Sequence, residues 1–414
     1  MKEAVVFRNR NFMSLWTSQA LSQVALNIIT FLVLVRVFEM TGSTIATSFV
    51  WIAYALPALI IGPFASASAD IFDKRKVLVY SNLTQALIVL LYAIFFEVSL
   101  FVSYLVVFSY SFFNQFYIPT ESSALPSLVK KDTYPIANSI FFFTAQIAVV
   151  AGFGVGGAIN ELVNFQAAFL LGAAFLFIAF LSVMSLPEMK AERKLSQGIE
   201  KGVGVFFNSI SEGYFFIKGH RHILMPFALM IGLQVSVSVL GTVLPIMSTD
   251  ILMAAAASAG FLIALPAGLG AGAGGLISSR LLMKKIRKRK IIEVSLLFLT
   301  LEIWAVIFLV SRIGPEVLRI AVSWALFFAA GVSFGSIFLS SQTFLQEQTP
   351  GGMRGRVFGN FWFLGIVATV VPVLSAATIA ELFGVRTLLF VLSLTSGTAL
   401  AYSSLYGKKN KLEI

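Results

Sequence analysis

The sequence predicts an all-α membrane protein with about twelve transmembrane helices in two pseudo-symmetric halves of six. Hydrophobic residues make up 58% of the 414 residues. Apolar stretches near the roughly 20 residues of a bilayer crossing recur along the chain. Basic residues gather in alternate connections between these stretches. Unpaired backbone groups are not tolerated in lipid, so long apolar runs are expected to cross as helices.

The charge distribution supports each predicted span. The spans lie near residues 13–37, 45–68, 77–97, 99–119, 136–160, 165–186, 223–249, 256–279, 291–310, 317–341, 357–380 and 386–406. All but four of the 30 Lys and Arg residues fall in the N-terminus, the even-numbered connections or the C-terminal tail. The exceptions lie at odd-numbered connections: Arg36, Arg312, Arg319 and Arg386. The positive-inside rule therefore places both termini and the even-numbered connections in the cytoplasm.

Composition argues against several functional classes. The net charge is +11, and the basic residues lie beside apolar spans. This arrangement suits binding to anionic lipid headgroups better than binding to nucleic acid. The chain has no cysteine and two histidines, His220 and His222, so a cofactor or metal site is not expected. A phosphate-binding loop of the GxxxxGK[ST] type is missing, and the sequence offers no sign of an enzyme.

One polar interruption divides the chain into residues 1–186, a linker at 187–222 and residues 223–414. Apolar residues at helical spacing from Val203 to Ile217 predict an amphipathic helix in this cytoplasmic linker. That helix is expected either on the membrane surface or packed on the bundle. Both halves carry a strong basic run after their second span and a Pro-containing connection after their fourth, which indicates an internal repeat.

Polar side chains follow one face of several spans, and polar groups in membrane helices usually face the bundle interior. The stripes are predicted to line a substrate cavity, with interhelical hydrogen bonding as the alternative. Their residues are Gln19, Gln23 and Asn27, with Thr30 on the same face; Tyr110, Asn114, Tyr117 and Glu121; Gln234, Ser238 and Thr242; and Ser333, Ser336 and Ser340.

Several short motifs resemble the major facilitator superfamily across nearly the whole chain. The segment Gly62-Pro63 to Asp70-Ile71-Phe72-Asp73-Lys74-Arg75-Lys76 matches the cytoplasmic signature between helices two and three, apart from Ser66 and Ile71. The run from Gly152 to Gly157 resembles the antiporter signature of helix five, with Phe153 in place of its proline. The opening Arg8-Asn9-Arg10-Asn11-Phe12 and the later Arg354-Gly355-Arg356 resemble the exporter branch that includes enterobactin-type siderophore and macrolide efflux proteins.

The resemblance implies roles for these motifs. In the family, the aspartate at the Asp70 position holds the two halves together on the cytoplasmic side, through the N-terminus of helix eleven and nearby arginines. The expected cytoplasmic gate is therefore Asp70, Asp73, Arg75, Arg354 and Arg356. The glycines Gly152, Gly156 and Gly157 should allow another helix to approach closely. The four stripe-bearing spans correspond to the family's cavity helices.

A proton-coupled exporter usually needs a membrane-embedded acid or base whose protonation differs between states. The first span carries Ala25-Leu26 where resembling exporters often have Asp. The remaining candidates are Glu302 in the ninth span and Glu121 in the fourth, because a buried carboxyl group can exchange a proton.

The leading hypothesis is a monomeric secondary transporter of the bacterial cytoplasmic membrane. It would export a small amphiphilic molecule, drug- or siderophore-like, by alternating access, in antiport with protons. One alternative is an uncoupled facilitator or lipid flippase on the same fold, and another is a non-transporting membrane receptor or scaffold.

Overall fold

The computed structural model describes residues 6–95, 99–130, 133–189 and 195–409. In this part of the chain every regular element is a helix. The helices are α1 Arg10–Thr41, α2 Thr44–Ile71, α3 Lys74–Phe95, α4 Leu100–Leu128, α5 Tyr134–Met184, α6 Leu195–Gly219, α7 Arg221–Asp250, α8 Leu265–Met283, α9 Lys288–Phe308, α10 Glu316–Gln348, α11 Gly351–Phe383 and α12 Val385–Lys409. Within them, 12 stretches are long and apolar enough to cross a membrane. The predicted all-α membrane fold is confirmed.

The fifth and sixth spans run together as α5, with a break at one residue. Asn164 has a positive φ of 68° and a ψ of 167°, so the two spans meet at a non-helical residue. Its side-chain oxygen accepts a hydrogen bond from the Ala167 amide at 3.0 Å. Asparagine is a favoured helix cap, because its short side chain satisfies an amide that the helix leaves unpaired. The sequence predicts a connection at this point.

The eighth span begins irregularly. A 3₁₀ turn at Ala256–Ser258 and a π turn at Gly260–Ala264 precede α8. Pro266 lies in the first turn of α8. Proline has no amide proton and is tolerated in that first turn.

The predicted linker helix forms as α6 and begins at Leu195, eight residues before Val203. The side chains of Val203 and Phe206 lie outside the described residues. Ile217, near the end of α6, is buried in a cluster with Phe227 of α7 and Phe361 of α11. One face of α6 therefore packs on helices, and Phe207 and Phe215 are exposed to solvent or lipid.

The chain forms two compact units. The first comprises Met1–Leu34 and Ile52–Asn208, and the second comprises Val35–Trp51 and Ser209–Ile414. In the first unit, α3 packs against α4 and α5. In the second, α10 packs against α8 and α9, and α11 packs against α7. The chain thus leaves the first unit within α1 and returns to it within α2.

Close glycine contacts fix the packing of α8 on α10. Gly270 and Gly274 lie against the backbone of Phe328 and Val332, while Gly331 and Gly335 lie against Ala267 and Ala271. A side chain at any of these four positions would meet backbone atoms of the facing helix. Small residues four apart let membrane helices approach in this way.

Candidate functional site

A buried polar network joins α1, α3 and α4 in the first unit. Ser18 and Tyr117 share a hydrogen bond of 2.9 Å between their hydroxyls. Asn82 donates its side-chain amide to Ser18 at 2.8 Å. Tyr117 donates to a carboxylate oxygen of Glu121 at 3.3 Å. Ser18, Asn82 and Tyr117 are fully buried, and Glu121 is 6% exposed. The carboxyl group of Glu121 thus lies at one end of a row of hydrogen-bonded hydroxyl groups inside a membrane span.

A second polar contact lies further along α4. The hydroxyl groups of Tyr110 and Thr30 are 2.5 Å apart, and both residues are buried. Gln85 of α3 donates to the Tyr110 carbonyl at 3.1 Å. Asn114 is 3% exposed and hydrogen-bonded to the Tyr54 hydroxyl. Tyr110, Asn114 and Tyr117 therefore join their helix to its neighbours.

The α1 stripe faces two environments. Gln19 is 5% exposed and donates to the Phe141 carbonyl of α5 at 3.0 Å. Its side-chain oxygen is buried and has no hydrogen-bond partner among the described residues. Gln23 and Asn27 are half-buried, and the Asn27 amide donates to the Gln23 carbonyl at 2.7 Å. The glutamine and asparagine side chains nearer the middle of α1 thus remain partly accessible.

The glycines of the fifth span contact α1. Gly152 lies directly against Asn27 and the Ile28 amide, and Gly156 lies against the Phe31 ring. Gly157 is also buried. A larger side chain at Gly152 would push α1 away, since the facing atoms include its backbone.

The stripe on α7 bonds mainly within its own helix. Ser238 donates to the Gln234 carbonyl at 3.2 Å, and Thr242 donates to the Ser238 carbonyl at 2.9 Å. Gln234 is half-buried, and its side chain lies close to Gly365 of α11. Serine and threonine commonly satisfy their hydroxyls in this way within helices.

Glu302 of α9 lies in a different environment from Glu121. Ser333 of α10 donates to one of its carboxylate oxygens at 3.3 Å. The other oxygen is buried without a hydrogen-bond partner among the described residues. This acid belongs to the contact between α9 and α10.

Two predicted gate residues of the first unit tie the α2–α3 connection to the end of α5. Asp73 accepts the Lys76 amide at 2.9 Å, which caps α3, and the Met189 amide at 3.2 Å. Arg75 donates to the Met184 carbonyl at 2.5 Å. The Asp70 side chain lies outside the described residues.

The gate arginines of the second unit have partners in their own unit. Arg354 donates to the Thr349 carbonyl at 3.1 Å, just before α11. Arg356 forms an ion pair of 2.5 Å with Glu212 of α6. Asn360 donates to the Ile210 carbonyl of α6 at 2.8 Å, and Gly213 lies against Asn360 and the Arg356 backbone. The start of α11 therefore holds the linker helix.

No group of three His, Cys, Asp or Glu residues that could hold a metal ion is found in the described part of the chain.

Comparison with known proteins decides the family. The model of the Major Facilitator Superfamily matches residues 15–367. The chain belongs to the major facilitator superfamily. It is similar to the uncharacterized MFS-type transporter YfiS of Bacillus subtilis (strain 168), at 25% identity over 394 residues, 92% of this chain and 90% of that protein. YjbB of the same organism, another uncharacterized MFS-type transporter, is 29% identical over 195 residues, 44% of this chain and 47% of that protein.

Solved transporters share the fold. A bacterial homolog of the human lysosomal transporter Spinster, in an inward-facing and unoccupied conformation, aligns with a TM-score of 0.72 and 12% identity, covering 98% of this chain and 97% of that one. The POT family transporter PepTSo aligns with a TM-score of 0.71 and 14% identity, covering 98% and 99%. Together with the 12 candidate spans, these matches establish an integral membrane protein with a major facilitator fold.

Within this major facilitator protein, several contact residues escape prediction from the sequence. The glycines of α8 and α10 follow a small-xxx-small spacing that the sequence displays, and this spacing is the signal that could have found them. Ser18 is adjacent to Gln19 of the α1 stripe, whereas Asn82 lies on α3, where no stripe is predicted. Glu212 pairs with Arg356, which is distant in the sequence, so no local pattern marks it.

Proposed function

We propose that this major facilitator protein exports a small amphiphilic molecule from the cytoplasm across a bacterial cytoplasmic membrane, in antiport with protons, by alternating access. The observation that carries this proposal is the buried Glu121–Tyr117–Ser18 network. An acid within a membrane span is costly to retain and is usually tied to function.

The proton is assigned to Glu121 ahead of Glu302. Glu121 is 6% exposed, and Tyr117 donates to it at 3.3 Å. Lys74 of α3 is also 6% exposed and donates to the Ser123 carbonyl, two residues along α4 from Glu121. Protonation of Glu121 would leave the Tyr117 hydroxyl free to strengthen its bond with Ser18. Ser18 belongs to α1, Asn82 to α3 and Glu121 to α4. A proton on Glu121 would therefore alter hydrogen bonds that join these three helices.

The substrate class follows from the lining that the stripes offer. Gln23, Asn27 and Gln234 are half-buried amide side chains, and they carry no charge. Amide groups among apolar residues favour an uncharged or weakly charged amphiphile, since they give hydrogen bonds without an ion pair.

The charged motif residues are proposed as the cytoplasmic gate. Asp73 and Arg75 stiffen the α2–α3 connection in the first unit, and Arg354 and Arg356 lie at the start of α11 in the second. We propose that Asp70 joins these residues as the cytoplasmic gate of alternating access.

Anionic lipids are proposed as partners at the N-terminus. Arg8 and Arg10 line a surface depression together with Asn11 and Ser14. Two guanidinium groups beside polar side chains suit a lipid phosphate, because arginine binds phosphate oxygens in a bidentate way.

The test is transport in proteoliposomes with fluorescent amphiphilic dyes, such as ethidium and Nile red, as the probes. Dye flux is measured with and without an imposed pH gradient and is compared with protein-free liposomes. The proposal expects the gradient to accelerate flux in the wild type. Glu121→Gln should lose this acceleration and retain the slow, gradient-independent flux.

Glu302→Gln is the matched control, because it makes the same chemical change in another membrane span. It should keep the response to the gradient. Flux that ignores the gradient in the wild type would favour an uncoupled facilitator, which the Ala25-Leu26 sequence of the first span also favours. An equal loss of gradient-driven flux in Glu121→Gln and Glu302→Gln would contradict the assignment of the coupling proton to Glu121.

A further inference from the structure

Glu381, in the last turn of α11, binds the first turn of α2. One of its carboxylate oxygens accepts hydrogen bonds from the Ser43 hydroxyl at 2.6 Å, the Ile45 amide at 2.9 Å and the Thr44 hydroxyl at 3.3 Å. Thr44 also donates to the Ala377 carbonyl of α11 at 2.8 Å. Thr44 and Ala377 are fully buried. Three donors at the start of α2, the Ser43 and Thr44 hydroxyls and the Ile45 amide, therefore join it to the end of α11.

The negative charge of Glu381 lies at the positive end of the α2 helix dipole. The amides of the first helical turn have no partners inside the helix, and they give that end a partial positive charge. Ser43 caps α2 by accepting the Ala46 amide at 3.1 Å. Glu381 adds a full negative charge at the same end, from a residue 336 positions away in the sequence. A remote carboxylate thus completes the cap of α2.

The division of the chain into two units agrees with this contact. Residues Val35–Trp51, which are the end of α1 and the start of α2, group with the second unit. The residues on either side of this hairpin group with the first unit. Besides Glu381, the hairpin contacts α7, where Gly241 lies against the Trp51 ring. Glu381 therefore makes one of the contacts between this hairpin and the rest of the second unit.

We propose that Glu381 is a conformational latch that fastens the Val35–Trp51 hairpin to α11. The connections α1–α2 and α11–α12 are odd-numbered, so the latch lies on the side of the membrane opposite the basic connections. This inference rests on the proposed alternating access. Movement of the two sequence halves apart on that side requires the Ser43, Thr44 and Ile45 bonds to Glu381 to break.

The experiment uses accessibility labelling of the full-length protein in membranes. The chain contains no cysteine, so Ala377→Cys gives a single reporter directly beneath the latch. A membrane-impermeant maleimide is applied from the side of the α1–α2 connection. Hydrogen bonds to a charged group typically contribute enough to change an equilibrium about tenfold or more, so Glu381→Ala should raise the labelling rate by about that factor. Glu381→Gln keeps an acceptor oxygen without the charge. Its labelling rate should fall between the rates with Glu381 intact and with Glu381→Ala.

Glu316→Gln is the matched control. Glu316 is an exposed acid in the first turn of α10, next to another odd-numbered connection. Its replacement should leave labelling of Ala377→Cys unchanged. Ser43→Ala removes the 2.6 Å donor without altering α11, and it should raise labelling even where Glu381→Ala proves too unstable to purify. Unchanged labelling in Ser43→Ala and Glu381→Gln, or an equal rise in Glu316→Gln, would overturn the latch.

The labelling does not depend on transport. If the dyes show no flux while Glu381→Gln still raises labelling, the latch stands and the proposed function fails. If gradient-driven flux is found while labelling stays constant, the function stands and the latch is refuted.

Discussion

The contact between α8 and α10 allows a steric prediction with an internal control. A methyl group added at Gly274 would meet the Val332 carbonyl oxygen, with the Val332 carbonyl carbon at 2.8 Å. A methyl group at the neighbouring Gly275 meets nothing within 4 Å. Gly274→Ala and Gly275→Ala therefore make the same chemical change at adjacent positions of the same helix, with and without a facing backbone.

The magnitude follows from two opposing terms. Replacement of glycine by alanine within a helix stabilises it by about 0.8–1 kcal/mol, and this term is common to both variants. Overpacking typically costs about 1–3 kcal/mol, and this cost should apply to Gly274→Ala alone. The backbone of Val332 cannot rotate aside as a side chain would, so α8 and α10 must separate. The two variants should thus differ by about 1–3 kcal/mol in the free energy of unfolding.

The assay is the thermal unfolding midpoint of the detergent-purified protein, followed by loss of the monodisperse peak in size-exclusion chromatography. Gly275→Ala should unfold at or above the wild-type temperature, and Gly274→Ala below it. Equal midpoints for the two variants would refute the claim that backbone contact at Gly274 fixes the packing of α8 on α10.

Three further predictions concern other local contacts. Asn164→Gly should be more stable than Asn164→Ala in the same thermal assay, because a φ of 68° with a ψ of 167° strains a non-glycine residue by about 1–3 kcal/mol; the reverse order would contradict this. Asn360→Ala should speed tryptic cleavage of the linker, since it removes a partly buried hydrogen bond to α6, whereas Arg356→Gln should change the cleavage rate little because the ion pair of Arg356 is exposed; equal cleavage rates in the two variants would argue against Asn360 as an anchor of α6. Ser18→Ala should lower the unfolding midpoint more than Thr242→Val, because Ser18 bonds to other helices and the Thr242 hydroxyl donates within α7; equal midpoints would count against the network.

The spans can be predicted because lipid imposes one dominant constraint. A crossing requires about 20 apolar residues, and the sequence shows each such run directly. The break between the fifth and sixth spans is also visible in the sequence, although its form is not. A single asparagine with a positive φ turns the chain while helical hydrogen bonding continues on both sides, and no hydrophobic pattern specifies a backbone angle.

The partners of the polar residues are much harder to predict. Spacing identifies the stripe on α4, yet spacing cannot tell whether Tyr117 faces a cavity or the Ser18 hydroxyl. Resemblance assigns Arg356 to the gate, and in its own unit it pairs with Glu212. Both outcomes depend on which helices pack together, and this is settled by tertiary structure rather than by the residues around each position.

The polar residues around α4 and those on α7 use their hydroxyl groups differently, and this bears on where transport chemistry is sought. In the first unit, Ser18, Asn82 and Tyr117 bond across three helices and end at a buried acid. In the second, Ser238 and Thr242 bond within α7, while glycines bring α8 and α10 into backbone contact. A change of protonation can alter bonds that cross between helices, whereas it has little effect on hydroxyls bonded to their own helix. Protonation of Glu121 would therefore change hydrogen bonds that join three helices of the first unit, whereas protonation of Glu302 would change the Ser333 bond between α9 and α10.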